Sequence, residues 1–175
     1  MSTFRQSIHH TQFEGVGNGE EITTNTMSKM KRLINDAIRV FYVRRWAERI
    51  VQGLEDDLSR MQAIYDFILY HTHYNRDPYH LELLKTPQVS LQLIEVGEYP
   101  SLDCDDLTIL SLSLLKSIGF KVALRATSYK PDHIFSHIYG LVHSKQYGWI
   151  PFDLVRGIGL DREHPGATKI MDVEV

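Results

Sequence analysis

Residues 101–122 read SLDCDDLTILSLSLLKSIGFKV, and this stretch decides the fold class. Within it Leu107, Leu110, Leu114 and Ile118 recur at intervals of three and four, the spacing of one helical face. Ile109, Leu112 and Leu115 are apolar as well, so the helix is buried on more than one side. Asp103 stands where an N-cap belongs, and Gly119 where a left-handed terminus would end the helix. The prediction is a central helix from Cys104 to Ile118. Beyond it the period changes from 3.6 to two: Lys121–Ser128, His137–Ser144 and Gly148–Val155 are strand-like runs, the last two joined by a turn at Lys145-Gln146-Tyr147. Residues 170–175 predict an edge strand.

Upstream, residues 1–25 carry no periodicity and are expected to form an extended or mobile arm, leaving 26–175 as one domain. Thr26 reads as the cap of a helix with Met27, Met30, Ile34, Ala37, Ile38 and Phe41 on its apolar face. A second helical piece starts near Val43. A third, capped by Asp56 or Asp57, carries the stripe Leu58, Met61, Ile64, Tyr65 and Ile68. Tyr74-Asn75-Arg76-Asp77-Pro78 predicts a turn, and Thr86-Pro87 opens a short helix running to about Val96. Helices first and strands afterwards imply an α+β fold with an antiparallel sheet.

Composition narrows the function. The chain has 175 residues, 43% hydrophobic and 23% charged, with a net charge of −3. That balance offers no electrostatic invitation to nucleic acid or to an anionic membrane. No apolar run reaches the roughly 18 residues of a membrane span, and the first residues lack a signal-like apolar core. A single cysteine forms no internal disulfide, which fits a reducing, cytoplasmic setting.

That cysteine opens the central helix, where unpaired backbone N–H groups favour a thiolate and can bind an oxyanion. Asp103, Asp105 and Asp106 oppose the negative sulfur, and side-chain direction decides which effect prevails. A lone cysteine is as readily a small buried apolar residue. A nucleophilic sulfur needs a base, and the base an orienting group. Of the nine histidines, His9 and His10 lie in the arm, His71 and His73 end a helix, His80 falls in a turn and His164 in the tail. His133, His137 and His143 lie near the sheet. His137 opens a strand, and Asp153 sits in the next, an otherwise apolar one, where a carboxylate calls for a partner. The reading is a Cys104–His137–Asp153 triad. Zinc, phosphate-loop and calcium-loop patterns are not met, so neither metal nor cofactor is expected.

Leu102-Asp103-Cys104-Asp105-Asp106-Leu107, then His137-Ile138-Tyr139-Gly140-Leu141-Val142 and Gly148-Trp149-Ile150-Pro151-Phe152-Asp153, resemble the motifs of the transglutaminase-like superfamily over roughly residues 27–160. The pattern Tyr74, Asp77-Pro78, Glu82, Thr86-Pro87 and the tail 157–166 are most similar to small members found in phages and prophages. Those relatives carry glycine where this chain has Leu102. The resemblance implies a papain-like fold and cysteine-dependent acyl transfer through Cys104, His137 and Asp153. It also implies an oxyanion hole built from the Cys104 N–H and a second donor, Tyr74 or Gln92. Substrates would be peptide, protein or cell-wall amides, and the setting the cytoplasm of a bacterium or infected cell, or a virion. The alternatives are a non-catalytic structural protein that retains the triad, and a peptide-binding module.

Overall fold

The computed structural model describes residues 11–13, 19–76, 82–155 and 159–175. Helix α5 (Cys104–Ser117) is its axis, and every residue from Asp105 to Leu115 is buried. Asp103 caps it as expected, its Oδ1 accepting the Asp106 N–H at 3.0 Å. At the other end Gly119 adopts φ +98°, a conformation that needs no Cβ, and turns the chain into the sheet.

Strands β5 (Lys121–Ser128), β6 (His137–Ser144), β7 (Gly148–Phe152) and β8 (Lys169–Glu174) form an antiparallel sheet in the order β7-β6-β5-β8. The tail therefore supplies an edge strand, as its pattern predicts. One face of the sheet packs on α5 so closely that a Cβ on Gly140 would lie 2.6 Å from the Leu112 side chain. Glycine is thus what lets β6 approach the helix that starts at Cys104. Strand β7 ends at Phe152, three residues short of the predicted run. Asp153 turns the chain there, its Oδ1 accepting the Val155 N–H at 3.0 Å.

Helices α1 (Gly19–Ala37), α2 (Phe41–Ile50), α3 (Asp57–His71) and α4 (Pro87–Glu95) cluster about α5. Asp56 caps α3 by accepting the Ser59 N–H, and Pro87 occupies the first turn of α4. The expected N-terminal arm needs correction. Helix α1 begins at Gly19, so residues 19–25 are helical, and Thr26 is buried in mid-helix. Two effects make this polar stretch helical. Glu20 and Glu21 complement the positive end of the helix dipole. The Thr23 and Thr24 hydroxyls bond back to the carbonyls of Gly19 and Glu20, satisfying groups that would otherwise favour a loop. The helix also stops at Ala37, so Phe41, placed on its apolar face by spacing, instead begins α2 and is 74% exposed.

Two short ribbons lie outside the main sheet. Strand β1 (Thr11–Phe13), inside the predicted arm, pairs antiparallel with β3 (Glu82–Leu84). Strand β2 (His73–Tyr74) pairs in parallel with β4 (Ser101–Leu102), so Tyr74 is strand rather than turn. Asp77 and Pro78 lie outside the described residues, as do residues 156–158 of the tail. Leu102, where the resemblance leads one to expect glycine, is fully buried and continues β4; Asp103 after it is extended (φ −92°, ψ −167°), so no left-handed residue is required before the helix.

Candidate active site

The three acids around the sulfur have three separate tasks. Asp103 caps α5. Asp106 is buried and accepts both the backbone N–H and the Nζ of Lys85, at 2.7 and 2.5 Å, tying the β3–α4 connection to the start of α5. Asp105 is 3% exposed and accepts the Cys104 thiol at 3.4 Å through Oδ1.

That last contact adds to burial against the thiolate. Burial pushes the Cys104 thiol well above its ordinary value, and the carboxylates of Asp105 and Asp103 push it further; a backbone N–H from Ile138 pulls the other way. Desolvation and like charge therefore outweigh the helix N-terminus. Both effects favour the protonated thiol over the thiolate.

His137 is the first residue of β6, paired across from Thr127, and is 5% exposed. Its Nε2–H donates to Asp153 Oδ2 at 2.8 Å. An ionised carboxylate accepts only, so this bond fixes the proton on Nε2 and leaves Nδ1 as the basic nitrogen. Asp153 is 1% exposed and is itself held. Its Oδ1 takes the Val155 N–H, and the Tyr65 hydroxyl donates to its carbonyl at 3.3 Å. Tyr65 in turn packs edge-on against Phe152, with ring centroids 5.4 Å apart. The carboxylate that β7 was expected to carry thus sits one residue past the strand, aimed by a turn.

Cys104 and His137 line one cleft of about 310 Å³. Asp105 and Ile138 share its floor, and the first turns of α1, through Ile22 and Thr26, form a wall. An arm over residues 19–25 would not supply this wall; the helix does.

The two expected oxyanion donors, Tyr74 and Gln92, lie on different elements. Pairing of β2 with β4 sets Tyr74 beside Leu102, two residues before the sulfur. Burial raises its hydroxyl pKa; Arg76 lowers it by hydrogen bonding, and charge on Cys104 and Asp103 raises it again, so the two side chains sense each other. Gln92 lies in mid-α4, half-buried, and neither it nor Tyr74 lines the cleft. The remaining described histidines are elsewhere. His71 Nδ1–H donates to the Phe67 carbonyl, His73 stacks on Tyr99, and His143 meets Trp149 edge-on. His133 adopts φ +56° in the β5–β6 loop, and His164 Nδ1–H donates to the Pro165 carbonyl. His9, His10 and His80 lie outside the described residues.

A family model, the transglutaminase-like superfamily, matches residues 44–154, which include all three residues of the constellation. Two solved structures are similar. One is a candidate cysteine protease from Cytophaga hutchinsonii, at 16% identity and a TM-score of 0.49 over 77% of this chain and 48% of that one. The other is a candidate protease from Parabacteroides distasonis, at 9% identity and a TM-score of 0.51 over 67% of this chain and 24% of that one. The chain thus spans about half of the first and a quarter of the second. No curated protein matches the sequence.

Proposed function

The chain belongs to the transglutaminase-like superfamily, and from that premise we propose that it is a cysteine-dependent acyl-transfer enzyme acting on amide bonds. The observation that carries the reading is the buried His137–Asp153 pair, which opens onto the same cleft as a cysteine at a helix N-terminus. Together they supply a nucleophile, a base with a fixed tautomer, and an orienting carboxylate.

With burial and Asp105 favouring the protonated thiol, His137 acts as a general base during attack rather than holding a preformed thiolate. Nδ1 takes the proton as the sulfur adds to the carbonyl carbon. Asp153 stabilises the resulting imidazolium without accepting its proton. The carbonyl oxygen gains negative charge and is met by the Cys104 N–H and, in this reading, by the Tyr74 hydroxyl. The imidazolium then protonates the leaving amine, and a thioester remains on Cys104. Water attacking it gives hydrolysis; an amine attacking it gives cross-linking. The substrate class is a peptide, protein or cell-wall amide.

The test is to incubate native and Cys104→Ala protein with peptide, protein and peptidoglycan-fragment substrates, with and without a primary amine. The expected result, in the native sample alone, is a mass gain of one water per cleaved bond, or a gain of the amine less ammonia on transfer from a carboxamide. Products formed equally by Cys104→Ala would overturn the reading.

A further inference from the structure

The second face of the His137 imidazole is organised by a row of side chains that the acyl-transfer chemistry above does not use. His137 and Tyr139 alternate with Ile138 along β6, so they share a face of the sheet. Their rings stack at 5.4 Å between centroids, 28° from parallel. Tyr139 is 3% exposed, and its O–H donates to Glu163 Oε1 at 2.8 Å. The same oxygen accepts Arg125 Nη1 at 2.5 Å. Arg125 pairs with Tyr139 in register on one side and with Asp172 on the other, and its guanidinium grips Asp172 through two bonds of 2.7 and 2.6 Å. Three adjacent strands and one tail residue therefore converge on the tyrosine that covers the imidazole.

The row has two consequences. The charge-assisted bond to Glu163 pins the phenol, so the stacked ring is held in one plane. The Glu163 carboxylate, in contact with the phenol, lies behind an electron-rich ring face, and both attract a cation.

Accepting the proposed role of His137 as base, we infer that Tyr139, held by Glu163, is a positioning residue: it fixes the imidazole plane and stabilises the imidazolium that forms when Cys104 surrenders its proton. Burial and the bond to Glu163 raise the Tyr139 hydroxyl pKa, which keeps it a donor throughout the working range.

The experiment measures the rate of Cys104 alkylation by iodoacetamide at about pH 7 and at about pH 10. At the lower pH the thiolate depends on proton transfer to His137; at the higher it gains from direct ionisation. Tyr139→Phe and Glu163→Gln are expected to lower the ratio of the two rates about two- to fivefold. Asp172→Asn, which leaves the Tyr139–Glu163 bond in place, is expected to keep the native ratio even if it loosens the tail. A general loss of packing would change both rates and leave no such pattern. Native and His137→Ala ratios are measured alongside. If His137→Ala does not lower the ratio, the triad itself fails. If it does, yet Tyr139→Phe and Glu163→Gln both retain the native ratio, only the positioning role is refuted.

Discussion

Asp153→Asn is a one-atom-type change whose effect follows from the tautomer. In the native chain Oδ2 accepts Nε2–H of His137 at 2.8 Å and Oδ1 accepts the Val155 N–H at 3.0 Å. An asparagine keeps one carbonyl oxygen, which the Val155 N–H claims because that bond ends β7. Its NH2 then faces Nε2, two donors cannot share the contact, and the imidazole moves its proton to Nδ1. The nitrogen that should accept the thiol proton becomes a donor. A charge-assisted bond worth about 1.5–3 kcal/mol is lost with it. Loss of the correct tautomer in a triad of this kind costs on the order of 10⁴ in turnover, about 5.5 kcal/mol. Nitrogen-detected NMR of a sample labelled at histidine reports the His137 tautomer directly, and thermal melting reports whether the fold survives. The expected outcome is a native-like melt, an Nδ1–H tautomer and collapse of Cys104 alkylation at neutral pH. An unchanged Nε2–H tautomer with native alkylation would refute the reasoning.

Three further outcomes follow from the same geometry. Lys85→Met takes the ammonium away from the buried Asp106 carboxylate; removing one partner of such a pair costs about 3 kcal/mol, or roughly 6–12 °C in Tm, and an unchanged melt would contradict it. Asp105→Asn removes a charge that raises the Cys104 thiol, so alkylation near neutral pH should speed up several-fold, whereas a slower reaction would show that Asp105 assists the sulfur. The folded chain holds the thiol proton more tightly than the unfolded chain, so this contribution to stability is complete below about pH 8.5 and is lost as pH rises further. Melting between about pH 7.5 and 9.5 should therefore show native protein losing stability relative to Cys104→Ala, and parallel curves would exclude the effect.

Much of this architecture was legible from side-chain period. Helix α5, its Asp103 cap and its Gly119 terminus are local features, and so is the change to period two that marks β5, β6 and β8. Other features depend on partners distant in the chain. The polar run 20–25 reads as loop because its threonines favour local bonds, yet those bonds close within a helix. The pairing of β2 with β4, which brings Tyr74 toward the sulfur, leaves no local signature in two residues. The strand pattern sets Asp153 beside His137 through a strand position it does not occupy; the turn it makes with Val155 is what aims it. The state of the thiol could not be read at all, since it hangs on whether Asp105 points at the sulfur or away from it. Tyr139 was signalled only by its two-residue offset from His137, and Glu163 by nothing local.

The central claim, that Cys104 is a nucleophile driven by His137, is tested most directly by the pH dependence of iodoacetamide alkylation in native and His137→Ala protein. With its thiol raised by burial and Asp105, the native sulfur is predicted to react near neutral pH through proton transfer to His137, and to lose that reactivity in the variant, whose sulfur should react only under strongly alkaline conditions. Identical profiles for the two proteins, each rising only at alkaline pH, would contradict it.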